Sequence, residues 1–600
     1  MSIQPTSIRP SQRVFVAGII LLLVALVYWP AIHAGFVWDD IIDFQQMSWL
    51  TYRDEWKHYI FTGFNFWPNY FRPLVVALFT AQVRLFDSQP APMHAVSLCM
   101  HLANTLLVGL LAWLAAAAAS RTPRQKIILL ACSMLLYGLH PVLIEAVTWI
   151  GCQFDLMATM FMLLGLLANI LIHSRTGRAI VIGVLFLLAA CCKESAAAFP
   201  LILAVHDWAM SSGHGDKNLR ASLRSFVDRH WPTFAALFVA GLAYLALRHW
   251  ALGQLLHPNS SDAPSAFGRF QEVCFLYLHY WRTLFVPMPG MSPIHPVDTS
   301  VFAVATFPSL LADVVAIAMV TGSFYLALAR RSALGCIVMV VTVALLPVLH
   351  IIPSAFDSSL YHDRYVLTGF TVACTMLPLV RVPLRIDPKS RQFALRTATL
   401  LGILWLVSSI FFIRTTIPLW SSNIKLWQWA LAVNPRSVGA MDPLLSAYIN
   451  ARDYRSADAL LARMKADHVD CTNCMLNGAI LALMRDDPST ASSYLEKVRD
   501  SKEITFDRKV FGRYMQATGQ MLLMQNKLPD AVAVLRASIQ AVPVNPQPHL
   551  LLAVALAKQG KLAEARAMEQ SGIAMLPIQQ RKAAREAMNH EFGQLSGHAK

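Results

Sequence analysis

Long apolar runs dominate the first two thirds of the chain and then give way to shorter, amphipathic ones. A helix that crosses a bilayer needs about 20 mostly apolar residues. Runs of that kind occupy 14–32, 94–116, 127–141, 154–173, 178–192, 195–210, 231–250, 303–329, 333–352, 365–381 and 397–417, which predicts eleven spans. Two further apolar stretches, 72–86 and 271–287, are interrupted by Arg84 or Arg282 and flanked by proline. They are expected as helices lying in the interface or packed on the bundle. The first run is longer than the apolar core of a cleaved signal peptide, about 7–15 residues, so it is expected to remain as the first span.

From about residue 420 the pattern changes. Self-similarity at a period of about 34 residues is the signature of tetratricopeptide repeats, each a pair of antiparallel helices. Repeats starting at 438, 472, 512 and 546 place Ala457, Ala491, Ala531 and Ala565 at one shared position. A small residue belongs there, because the second helix of each pair crosses close to the first. Gly519 takes another small-residue position, and Pro543 and Pro577 close the last two repeats. The expectation is an all-α chain: a polytopic membrane bundle over 1–419, then an α-solenoid over 420–600 with repeats at about 438–471, 472–505, 512–545 and 546–579. Such arrays offer a concave surface that holds a peptide or another subunit.

Composition agrees with a chain that faces lipid over most of its length. Hydrophobic residues make up 56% of its 600 residues and charged residues 14%, where a soluble domain carries about 25% charge. That excludes disorder for the bulk of the chain. The net charge of +15 is resolved by topology. With the N-terminus inside, the inner segments hold Arg9, Arg13, Arg121, Arg124, Lys126, Arg175, Arg178, Lys217, Arg220, Arg224, Arg229, Arg330, Arg331, Arg381, Arg385, Lys389, Arg391 and Arg396. The longer outer loops hold Arg53, Lys57, Arg72, Arg84, Lys193, Arg269, Arg282 and Arg364. Eighteen against eight is the positive-inside pattern. It predicts a multi-pass inner-membrane protein with its C-terminal repeats outside the cytoplasm.

The longest outer loop, about 33–93, opens Gly35-Phe36-Val37-Trp38-Asp39-Asp40. A charge at the bilayer centre costs at least about 2.5–3.5 kcal/mol, so both acids are expected at the membrane surface. A solvated turn with Trp38 as an interfacial aromatic would account for them. Two features argue for more. Asp43, Asp54, Glu55 and Asp87 keep the loop acidic, and Tyr70-Phe71-Arg72-Pro73-Leu74 returns it to the membrane with a lone cation. Other ionisable groups collect at the outer ends of spans: His140 with Glu145 and Asp155, Lys193-Glu194 after Cys191-Cys192, and Tyr361-His362-Asp363-Arg364-Tyr365. Singly, each reads equally well as structural, Lys193–Glu194 as an ion pair for instance. Their shared side points to a site.

In these residues the chain resembles the transmembrane-and-tetratricopeptide O-mannosyltransferases and their bacterial relatives in the GT-C glycosyltransferase superfamily. The resemblance rests on GFVWDD (35–40), YFRPLVVAL (70–78), the spacing of His94, His101 and Asn104, HPVLIEAVTWI (140–150) with Asp155, CCKESAAAFPLIL (191–203), YHDRYVL (361–367) and LWQWALAVNPRS (426–437). It implies transfer of a sugar, mannose or another hexose, from a polyprenyl-phosphate donor to an extracytoplasmic protein Ser/Thr or glycan acceptor. It also implies an acidic base in the first outer loop, here Asp39 or Asp40. A carboxylate can take the proton of an attacking hydroxyl. The departing lipid phosphate needs positive charge more than a proton. Lys193, Arg364, Arg72 and His362 are the candidates for that, with Glu145 and Asp155 as further substrate-binding residues. No cofactor and no metal are expected. The chain departs from the family at Cys191-Cys192, at His362-Asp363 and in its four visible repeats, which leaves sugar and acceptor open. Two rivals fit the same pattern: a ligase or polymerase moving whole lipid-linked oligosaccharides, and a non-catalytic scaffold or lipid transporter that uses the repeats for assembly.

Other signals carry less. Nineteen histidines include no HExxH pair, so a zinc hydrolase lacks its ligands. Cys471-Thr472-Asn473-Cys474 is a lone CxxC without a second pair, expected as a local disulfide or as buried thiols. No GxxxxGK[ST] loop occurs. The basic excess sits on short membrane loops, which argues against nucleic acid as a partner.

Overall fold

The structure, a computed structural model, describes residues 10–46, 50, 52–62, 70–211, 218–255, 265–351, 359–381, 387–469 and 471–597. Arg9, Lys217 and Arg385, among the cations expected inside, lie outside the described residues, as do 47–49, 51 and 63–69 of the loop expected outside. The fold is all-helical, with no strand among the described residues. It comprises two compact units. Met1–Ala34, Ile60–Val75 and Ala91–Trp420 form the first; Gly35–Tyr59, Val76–Pro90 and Ser421–Lys600 form the second. Two stretches of the 33–93 segment therefore group with the C-terminal region. Hydrogen bonds show why: the Gly35 N–H donates to the Ser421 carbonyl (3.0 Å), the Tyr52 hydroxyl meets Ser571 Oγ (3.0 Å), and the Gln579 amide donates to the Asp87 carbonyl (3.0 Å).

In the first unit every one of the eleven apolar runs contains a helix. Six described helices are long and apolar enough to cross a bilayer: Ser11–His33, Pro90–Ala118, Ile150–Leu171, Leu219–Leu252, Phe307–Ala329 and Lys389–Trp420. Pro123–Gly138 and Pro141–Thr148, bent by 49°, would add a seventh as one broken span. Pro141 supplies the break, since it has no N–H to continue a helix. The remaining runs carry shorter helices. Phe199–Ser211 and Ala333–Leu345 have 13 residues each and Leu367–Met376 has 10. Thirteen residues rise about 20 Å, against a hydrocarbon core of about 30 Å. Prolines explain the shortfall: the chain tightens into 3-10 turns at Leu346–Val348 and Leu377–Leu379, around Pro347 and Pro378. Hydropathy runs on through such residues; the α-helix does not.

Helix starts are set by side-chain caps. Thr122 and Gln125 form a reciprocal capping box, Ser174 accepts from the Gly177 N–H, and Asp387 accepts from Lys389 and Ser390. The loop ends then meet one another in two sets. Arg121 donates to the Pro378 and Val380 carbonyls, Arg381 to Ala119, Arg331 to Ser222 and Arg178 to Arg229. In the other set Leu74 bonds to Cys191, His140 to Leu284 and Leu360 to His295.

The second unit is built largely from helical hairpins: Val438–Asn450 with Tyr454–Ala466, Thr472–Leu483 with Pro488–Arg499, Arg508–Met524 with Leu528–Ala541, and Pro546–Lys558 with Leu562–Met575. Three of the four starts lie where the sequence period puts them. The third lies at Arg508 rather than 512, because the Asp507 carboxylate caps the helix there, accepting from the Lys509 and Val510 N–H groups (2.8 and 3.3 Å). Ala457, Ala491, Ala531 and Ala565 are all fully buried. Gly519 packs so closely on its hairpin partner that a Cβ would lie 2.5 Å from Leu535 Cγ. Leu535 is itself fully buried and has no room to yield. Gly519→Val is expected to destabilise this unit by about 1–3 kcal/mol through overpacking, read as a lower denaturation midpoint; an unchanged midpoint would contradict that packing.

Candidate functional site

In the first unit, five of the expected residues join one buried network. Arg364 forms an ion pair with Glu145 and donates its backbone N–H to Glu145 Oε2 (3.2 Å), while its Nε lies 3.7 Å from Asp155 Oδ2. Lys193 forms an ion pair with Asp155, and His362 Nδ1 lies 3.8 Å from Glu145 Oε1. All five side chains are buried. Arg72 reaches the neighbouring residue instead: its Nε and Nη2 both donate to Glu194 Oε2 (3.1 and 2.9 Å). The adjacent Lys193 and Glu194 are thus not each other's partners. Lys193 turns to Asp155 and Glu194 to Arg72, because the chain is extended at Lys193 and consecutive side chains diverge.

Aromatic faces line this cluster. Arg72 lies 4.4 Å from the Tyr70 ring centre and 4.5 Å from that of Phe154, and Lys193 lies 5.3 Å from Phe154 and 5.0 Å from Tyr365. Arg364 sits between Trp149 and Tyr365 at 5.0 and 5.2 Å. Such contacts favour a desolvated cation by up to about 2 kcal/mol each. The sequence reading missed Arg248, whose Nη1 is 3.5 Å from Glu194 Oε1; it is concealed in the last turns of an apolar span. Among the described residues, four cations (Arg72, Lys193, Arg248 and Arg364) therefore meet the carboxylates of Glu145, Asp155 and Glu194, and such pairing is what permits buried charge.

His101 and Asn104 prove structural. His101 Nε2 bonds to the Gly138 carbonyl (3.0 Å) and the Asn104 amide donates to the Leu156 carbonyl (3.0 Å), so the two side chains fasten neighbouring helices. A second buried cluster, Glu272 with Arg269 (3.1 Å) and His350 (2.9 Å), was not foreseen, since its members are isolated in sequence.

In the second unit, Asp39 and Asp40 begin the short helical turn Asp39–Ile41. Trp38, just before it, has φ 56°, a left-handed conformation that is an outlier for a bulky residue. It is held by its surroundings: the Trp38 N–H donates to Asn423 Oδ1 (2.9 Å), the Trp427 indole donates to the same oxygen (3.0 Å), and the two indoles meet edge to face. Strain of this kind persists only where neighbours over-determine it. Asp40 and Asp43 are buried, whereas Asp39 is exposed. Lys509, from the start of the third hairpin, completes the cluster. Burial pulls its ammonium pKa down, opposed by the Asp39, Asp43 and Asp507 carboxylates. Trp427 stands within LWQWAL, whereas nothing in the sequence marked Asn423 or Lys509.

Cys471 and Cys474 form a disulfide at the start of the Thr472–Leu483 helix. Beside it the Asn477 amide donates to Asp442 Oδ1 (2.7 Å) and accepts from Arg513 (2.7 Å). Burial raises the Asp442 carboxyl above its ordinary value, against the pull of Arg513 and Asn477. A carboxyl raised by folding favours the fold at low pH, and that contribution is lost as pH rises through the raised value. The melting temperature is therefore expected to fall as pH rises from about 4 through the raised value, and Asp442→Asn should flatten that part of the profile. An equally steep fall in the variant would contradict this. A comparison with known proteins finds no matching family model, curated protein or solved structure.

Proposed function

We propose that the chain is an integral-membrane glycosyltransferase of the GT-C kind, moving a single sugar from a polyprenyl-phosphate carrier to an extracytoplasmic protein or glycan acceptor. One observation carries the reading: the four cations Arg72, Lys193, Arg248 and Arg364 converge in one buried, aromatic-lined cluster. The phosphodiester of a lipid-phosphate sugar carries one negative charge that such a cluster attracts, and the same cations stabilise the phosphate as it leaves. His362, beside Glu145, adds a further donor.

The base is the acid that the resemblance implies, Asp39 or Asp40. Exposure favours Asp39 as the carboxylate that meets the acceptor hydroxyl, and the buried Asp40 then holds the turn in place. The hydroxyl oxygen attacks C1 as its proton passes to Asp39, the C1–O bond to phosphate breaks, and polyprenyl phosphate departs. A direct attack of this kind inverts C1. Eleven spans, with the short and largely buried helices Phe199–Ser211, Ala333–Leu345 and Leu367–Met376 among them, fit the way loop ends meet in two sets. Hairpins spaced as tetratricopeptide repeats, with buried alanines at the shared position, support an acceptor-holding role for the second unit.

The test is direct. Purified protein is reconstituted with polyprenyl-phosphate mannose and glucose, and released polyprenyl phosphate and glycosylated product are measured by mass spectrometry. Single-sugar transfer supports the proposal. Transfer of preassembled oligosaccharide would favour the ligase reading, and donor binding without turnover would favour the scaffold or transporter.

A further inference from the structure

The helices Arg175–Ala190 and Leu219–Leu252 pack closely enough that a Cβ on Gly183 would lie 3.3 Å from Ala236. Where the two helices begin, a cavity of about 530 Å³ opens between them, lined by Arg175, Ala221, Arg224, Ser225, Asp228 and Arg229. Three guanidinium groups face one carboxylate there. A fourth cation, Arg178, is anchored at the rim by its Nη2 to the Arg229 carbonyl (3.4 Å). Ser174 and Asn218 cap the two helices, so the positive ends of both dipoles add to the same region.

The surroundings separate a lipid from a free anion. On the longer helix Trp231 and Leu242, seven and eighteen residues beyond Arg224, and Val239, eighteen beyond Ala221, continue the same face with exposed apolar side chains. Ile180 and Val184 do the same on the shorter helix. A free phosphate would use the arginines alone. A phospholipid uses the arginines for its headgroup and the apolar strips for its chains, with Trp231 at the level where interfacial aromatics sit. Basic pockets between membrane helices are suited to acidic headgroups.

We propose that this cavity binds the headgroup of an acidic glycerophospholipid, from the leaflet that the short basic loops face. The inference rests on the membrane-spanning part of the functional reading but not on the transferase assignment, and the two fail separately: lipid retention is read without sugar transfer, and turnover without lipid analysis.

The experiment uses full-length protein in detergent with equal amounts of phosphatidylglycerol and phosphatidylcholine of matched chains, and bound lipid is counted by native mass spectrometry. The unsubstituted protein is expected to retain phosphatidylglycerol at least about tenfold better, and each arginine replaced by glutamine is expected to cost about fivefold. Arg175→Gln/Arg224→Gln/Arg229→Gln should thus lose the preference, while Asp228→Asn should strengthen it. Lys389→Gln/Arg391→Gln/Arg396→Gln, in a basic stretch on another helix, should keep it. Equal retention of the two lipids by the unsubstituted protein overturns the proposal, and so does an equal loss in the control triple. Displacement of the lipid by millimolar inorganic phosphate would make this a free-phosphate site instead. If the triple variant does not fold, Arg224→Gln and Asp228→Asn decide alone: they must shift retention in opposite directions.

Discussion

Asp39→Asn is expected to lower sugar transfer by about 10²–10⁴-fold, the usual contribution of a positioned general base, with little change in thermal stability. Asn keeps the size and one acceptor oxygen of Asp but cannot take a proton. Asp39 is exposed, and Lys509 keeps the Asp43 and Asp507 carboxylates when the Asp39 charge is removed. Asp40→Asn should behave differently. Asp40 is 1% exposed and begins a turn already strained at Trp38, so its loss should lower the melting temperature as well as turnover. Donor affinity separates the two roles further. A residue that acts only in the transition state lowers kcat and kcat/KM together and leaves donor binding alone. Polyprenyl phosphate release, product mass and melting temperature, measured on both variants, read all of this. Unchanged turnover in folded Asp39→Asn would remove Asp39 as the base, and unchanged turnover in both would end the acid-base proposal.

Much of this arrangement was legible in the sequence because local rules fix it. Every apolar run became a helix, and three of four hairpin starts follow from spacing and composition. The third start moved because one carboxylate, Asp507, outweighed the period. Span lengths were less legible, since Pro347 and Pro378 stop an α-helix without interrupting hydropathy. The ionic partners were the least legible. Lys193 and Glu194 are adjacent in sequence, yet each pairs with a residue tens of positions away, as an extended backbone requires. Arg248 was hidden in an apolar helix end, and Asn423 and Lys509 carry no motif. The grouping of 35–59 and 76–90 with the C-terminal region rests on long-range hydrogen bonds that no periodicity announces. That grouping changes the experiments as well: deleting the repeats would remove partners of the acidic turn, so point substitutions are the sounder test of an acceptor-holding role.

Arg364 gives the second large effect, because stability and chemistry make different demands on it. Arg364→Met leaves Glu145 buried without its guanidinium partner, and breaking a buried pair in this way costs about 3–5 kcal/mol. The single variant should therefore lose turnover for a trivial reason, an unstable fold. Glu145→Gln/Arg364→Met removes both charges, keeps the volumes close, and retains an amide oxygen to accept the Arg364 backbone N–H, now that of the new methionine. Replacing both partners of a buried pair is often neutral for stability, so the double variant should melt near the unsubstituted protein. If Arg364 serves only to balance Glu145, transfer returns with the fold. If its charge neutralises the lipid phosphate, the double variant stays folded yet binds donor weakly and turns over at least about tenfold more slowly. Glu145→Gln alone supplies the converse. It makes the surroundings of Lys193 and Arg364 more positive by one charge, and is expected to hold donor at least as tightly while losing some stability. Recovery of both fold and activity in the double variant would assign Arg364 to structure and move the phosphate-binding role to Arg72 and Lys193.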